Sequence, residues 1–136
     1  MPRLSRAAFL GLILVQACHS VEEYFTRLYD RLAPARFVSD FFGIHRPVGF
    51  IVFNLSLLAF GLWCYFGPIS LGTRTALALA WSWVVLEVLN GFAHVIWAVS
   101  AAGYRPGLAT APLLVATALF LAWSLGRSSS ATGGVA

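Results

Sequence analysis

Four long apolar stretches divide the chain, at about residues 7–25, 48–66, 75–102 and 108–125. The last three are each long enough to cross a hydrocarbon core of ~30 Å as helices. Breaks are predicted between them at Gly67-Pro68 and at Arg105-Pro106-Gly107, where proline removes a backbone donor and glycine admits turn conformations. The first stretch differs. Its uninterrupted run, residues 7–15, is short and follows Arg3 and Arg6, an outline it shares with a signal peptide. Helical periodicity nevertheless continues through Val21, Tyr24, Phe25 and Leu28 with no small-residue punctuation, which predicts a retained helix. The expected fold is an all-α membrane protein, a bundle of about four transmembrane helices.

Polar residues concentrate between the first two stretches, at about residues 26–47. Arg27, Asp30, Arg31, Arg36, Asp40 and Arg46 alternate there with Tyr29, Leu32, Phe37, Phe41 and Phe42, and Pro34 divides the segment. That pattern predicts an extension of the first helix, then a short amphipathic piece lying at the membrane interface. A solvated connection is the equal alternative. The tail, residues 128–136, is rich in Ser and Gly and predicts disorder, leaving residues 1–127 as one domain.

Composition sharpens this picture. The chain is 60% hydrophobic and only 10% charged, with a mean hydropathy of +0.82, which excludes an ordinary soluble domain. All nine cationic side chains are arginines, and the net charge of +4 forms no basic run. Nucleic acid is therefore not an expected partner, and contact with anionic headgroups accounts for the arginines. Cys18 and Cys64 make no CxxC pair, so neither a disulfide nor a thiolate metal site is expected. Arginines divide almost evenly between the two sides of the predicted bundle, so the positive-inside rule gives no orientation. The expected location is the bacterial cytoplasmic membrane.

Two polar clusters interrupt the apolar stretches: His19-Ser20-Val21-Glu22-Glu23, and Glu87 with Asn90 and His94. Ionisable groups inside a membrane are costly, and they usually face one another or a water-filled cavity. At ~100° per residue, Glu22 and Glu23 fall within about 60° of His19. Asn90 and His94 lie within about 60° of Glu87 on the same count. Each cluster is thus one stripe on its helix. The first and third spans run in the same direction, and ~1.5 Å of rise per residue puts His19 and Glu23 about 18 and 24 Å deep. Glu87 and His94 then lie about 18 and 28 Å deep, so the stripes overlap.

Imidazole with carboxylate is a ligand set for zinc, iron or manganese. His19 and Glu23, at i and i+4, suit one ion from a single helix face, and Glu87 and His94 suit its completion from the facing helix. Glu22 is then the candidate general base toward a bound water, and Asn90 the candidate oxyanion donor. Tyr104 and Arg105, in the turn at the same depth, are the candidate substrate-binding pair. Structural alternatives are a hydrogen-bonded His–Glu clamp between helices, or Glu22 and Glu23 snorkelling to the interface with Arg27 as their partner.

These residues also resemble a family. His19-Ser20-Val21-Glu22-Glu23 matches the signature that names the HXXEE family of small membrane proteins. Asn90-Gly91-Phe92-Ala93-His94 is similar to that family's NxxxH element, and Tyr104-Arg105-Pro106-Gly107 to its Y-x-P-G turn. The three motifs occur in order over nearly the whole chain. The resemblance implies a multi-pass membrane protein in which His19, Glu22, Glu23, Asn90 and His94 act together, and it leaves the activity open.

The leading functional expectation is a metal-dependent membrane hydrolase or transferase acting on a lipid-like substrate, with membrane lipid as its partner. The alternatives are a non-enzymatic subunit or small transporter using the polar stripe as a clamp or ion path, which would need to form a homo-oligomer, and a haem carrier with His19 and His94 as axial ligands.

Overall fold

The computed structural model describes residues 1–132. It is all-helical, with no strand among those residues: α1 (Arg3–Phe25), α2 (Leu28–Arg31), α3 (Phe37–Phe42), α4 (Arg46–Cys64), α5 (Ala76–Ser100) and α6 (Ala111–Thr132). Three helical runs are long and apolar enough to cross a membrane, at Arg3–Phe25, Arg46–Ile69 and Ala76–Ser100. The first stretch therefore qualifies as a span. The fourth is shorter, its apolar part being Ala111–Arg127. The part of the tail beyond Thr132 lies outside the described residues.

Burial follows one stripe on each helix. On α1 it comprises Ser5, Ala8, Phe9, Leu12, Ile13, Gln16, His19 and Glu23, at the i, i+3, i+4 spacing of one helix face. On α5 it runs Ala76, Ala80, Trp83, Val84, Glu87, Gly91, His94 and Ala98. Apart from Ser5, both stripes are apolar over their first half and carry their ionisable residues further along. The apolar halves meet in a core of Phe9, Leu12, Ile13, Trp83 and Val84, closed by Leu114, Ala118 and Leu121 of α6. Large apolar side chains such as Leu14, Phe53, Leu89 and Val99 point outward instead, as a lipid-facing surface does.

α6 lies against both α1 and α5, and α4 packs against α1. Gly91 permits the close approach of α5 and α6, since a Cβ there would stand 2.5 Å from Val115 and 3.0 Å from the Ala111 carbonyl.

Two expectations change. The break at Gly67-Pro68 is absorbed. The chain stays helical through a π turn at Tyr65–Ile69 that contains Pro68, the widened turn accommodating a ring that an α-helix would reject. The extension of α1 is interrupted, because Arg27 takes a left-handed conformation (φ 59°) and starts the separate short α2. Arg27 pairs with Asp30 at 3.1 Å, and Arg46 reaches the same carboxylate at 3.6 Å. Neither Glu22 nor Glu23 has Arg27 as a partner. The amphipathic piece is present as α3, which buries Ser39 and exposes Phe37, Phe41 and Phe42.

Candidate metal centre

Three residues converge where the polar halves of the stripes meet. His19 and Glu23 come from α1 and His94 from α5, all buried, with one ligand atom from each lying within 4.8 Å of the others. Glu23 Oε1 stands 3.0 Å from His94 Nε2 and 3.4 Å from His19 Nε2. The imidazole rings are edge-to-face with centroids 4.8 Å apart. That spacing leaves no room for a porphyrin between them, so the haem reading is set aside on geometry.

The hydrogen bonds around the rings fix their tautomers. His94 Nδ1 lies 2.6 Å from the Pro106 carbonyl, which can only accept, so Nδ1 carries the proton. Thr110 Oγ1 donates to Glu22 Oε2 at 2.5 Å. Its hydroxyl hydrogen is then used, and it accepts from His19 Nδ1 at 2.7 Å. In the neutral form both rings therefore present an Nε2 lone pair toward the same carboxylate oxygen. Three electron-rich atoms so placed in a buried site could hold a cation. A proton on His94 would satisfy the 3.0 Å contact and leave the other ring unserved, since His19 Nε2 is buried without a hydrogen-bond partner. A single divalent ion would satisfy all three. Nδ1–H bound to a carbonyl or to a hydroxyl–carboxylate relay is also how metal-ligating histidines are held.

Glu22 sits elsewhere than its neighbour. Its carboxylate accepts from the Tyr104 hydroxyl (2.5 Å), the Ala109 and Thr110 backbone N–H groups (3.0 and 2.8 Å) and the Thr110 hydroxyl. It lies in the turn just before α6, where the Ala109 and Thr110 N–H groups favour an anion. Four donors thus engage the Glu22 carboxylate, and Thr110 links it to His19. Burial, and then the Glu22 carboxylate it donates to, pushes the Tyr104 hydroxyl up to about 12. The Tyr104–Glu22 bond is thus fully present below the ordinary value of 10 and lost as pH rises through about 12. A phenolate absorbance titration of Tyr104→Phe is expected to lack a step near pH 12 that the wild type shows.

Glu87 and Asn90 stand beside the triad. Asn90 Nδ2 approaches Glu87 Oε2 at 3.5 Å, and both line a cavity of about 310 Å³ together with Glu23 and His94. Glu87 thus faces the cavity, outside the group of three that could hold an ion. Arg105 stacks over Trp97 at 5.6 Å, and Tyr104 is engaged by Glu22, so neither is placed by its contacts as a substrate ligand.

Thr110, the Pro106 carbonyl and Gly107 complete the surroundings, and none of the three was assigned a role from sequence. Gly107 (φ +85°) passes under both rings, and a Cβ there would stand 2.6 Å from His94 and 2.9 Å from His19. Its membership in the Tyr104-Arg105-Pro106-Gly107 motif was the available signal. Gln16 was also missed, although it lies three residues before His19 on the same buried stripe.

Fold and site together define an apolar, all-helical protein with a buried His/Glu triad at the junction of two long helices and the turn into a third. A family model described as a protein of unknown function with HXXEE motif matches residues 10–122. The chain belongs to the HXXEE family, whose signature supplies His19, Glu22 and Glu23. Neither a curated protein nor a solved structure matches it.

Proposed function

We propose that the chain is a metal-dependent membrane enzyme, a hydrolase or transferase of lipid-like substrates, with His19, Glu23 and His94 as protein ligands to one divalent transition metal. The observation that carries this reading is the pair of Nδ1 contacts, to Thr110 Oγ1 and to the Pro106 carbonyl, which leave both Nε2 atoms facing one carboxylate oxygen. Two histidines and a carboxylate form a three-ligand set that leaves a coordination position for water or substrate. The bound ion would polarise that water or a substrate oxygen. Glu87, on the wall of the adjoining cavity, takes over the role of proton acceptor, and Asn90 beside it donates to developing negative charge. Glu22 holds Thr110, and through it His19, in the ligating orientation. A lipid-like substrate fits a site inside helices whose outer faces are apolar, and membrane lipid is accordingly the proposed partner. The proposed location is the bacterial cytoplasmic membrane.

Elemental analysis of detergent-purified protein tests this directly. About one zinc, iron or manganese per chain is expected in wild type, and none in a His19→Ala, His94→Ala double variant. Metal missing from both would overturn the reading and leave a protonated His–Glu clamp between helices as the account of the triad.

A further inference from the structure

A second polar array lies below the triad. Gln16 Nε2 donates to Ser20 Oγ at 3.2 Å, and Ser20 Oγ donates to Asn54 Oδ1 at 2.6 Å. Asn54 Nδ2 in turn donates to the Phe50 carbonyl at 3.0 Å. The array crosses from α1 to α4 and runs in one direction, every link using a donor. Its open end is an acceptor: Gln16 Oε1 is buried and has no hydrogen-bond partner, in a side chain only 6% exposed. An unpaired acceptor in an apolar setting is costly, and a ligand carrying a donor would recover that cost.

The surroundings specify the rest of that ligand. Gln16 and Asn54 line two cavities at once. One is the cavity of about 310 Å³ that contains Glu23, Glu87 and His94. The other, about 340 Å³, is a groove between α1 and α4 walled by apolar groups such as Val21, Phe25, Ile51 and Leu55. Both volumes fall at the lower end of the range for small-molecule sites. A molecule spanning them would lay an alkyl chain along the groove and a donor at Gln16. Its reactive head would then reach the triad.

We infer that Gln16 is the recognition point for a single-chain amphiphile that carries an O–H or N–H donor next to its alkyl chain, as in a long-chain alcohol or a fatty amide. This names the substrate class of the site above and rests on that reading for the chemistry alone, because binding at Gln16 involves none of the three metal ligands.

The test is competition against tritiated cetyl alcohol on the full chain in detergent, using cetyl alcohol, palmitamide and cetyl methyl ether. The alcohol, the amide or both should bind about tenfold more tightly than the ether, equivalent to about 1.4 kcal/mol, and whichever does identifies the donor. In Gln16→Met the three should bind equally. Leu55→Trp, which fills the groove, should weaken all of them together. Equal binding of ether and both donors to wild type would overturn the inference without reliance on any variant, as would a preference that survives in Gln16→Met. Metal content is read on the same wild-type preparation, and a wild type without metal that still discriminates would sink the metal reading and leave this one standing.

Discussion

Glu23→Gln is expected to cost at least ~100-fold in metal affinity, more than the ~10–100-fold typical of losing an outer partner of a metal ligand. The substitution keeps shape and volume while removing the negative charge from the atom nearest both Nε2 nitrogens, at 3.0 and 3.4 Å. Its value lies in separating two accounts of the triad. If a metal is held there, a neutral amide oxygen is a much poorer ligand and the ion is lost at chelator concentrations the wild type tolerates. If the triad is only a clamp, glutamine supplies an N–H to an imidazole lone pair, and the helices stay joined without any cation. Competition with a chromogenic chelator, read beside thermal unfolding in detergent, distinguishes them. Unchanged metal affinity would remove Glu23 from the ligand set.

Gly107→Ala should disturb the same centre from below. The added methyl would stand 2.6 Å from His94 Nδ1 and Cε1 and 2.9 Å from His19 Cε1, and real carbon contacts do not survive at such distances. Both rings must move, and both are tied through Nδ1 to Pro106 and Thr110. The residue also has φ +85°, where a Cβ costs about 1–2 kcal/mol. Overpacking adds about 1–3 kcal/mol, so a total loss of about 2–5 kcal/mol is expected, with metal affinity falling at least about tenfold. Gly43→Ala is the control: φ is +64° there and nothing lies within 4 Å of the added methyl. It should carry the conformational cost alone and leave metal binding intact. Similar effects from the two substitutions would show that the turn does not form the floor of the site.

Much of the site was legible in the sequence because polar groups are rare in this chain. His19, Glu23, Glu87 and His94 stand out against apolar neighbours, and helical spacing puts each pair on one face; all four are buried. Glu22 was harder to place. Its angle from His19 is close to that of Glu23 on the opposite side, so spacing alone could not say which carboxylate turns inward. The answer depended on the turn into α6, whose Ala109 and Thr110 N–H groups draw Glu22 away from the imidazoles. Ser20 had no visible partner in sequence, because Asn54 lies 34 residues away on another helix.

By itself the sequence determined the helical class, the extents of the apolar segments and the stripes on which the chemistry lies. Length, hydropathy and period are local properties, and each was sufficient for its purpose. Tertiary structure alone decided which apolar face is core and which faces outward, because residues that meet lipid are as apolar as those that meet protein. It also decided that α6 packs against both polar helices, that the turn before it supplies Pro106, Gly107 and Thr110, and hence which ring nitrogens point at Glu23. Those choices depend on contacts between residues as much as 119 positions apart, where no local pattern reaches.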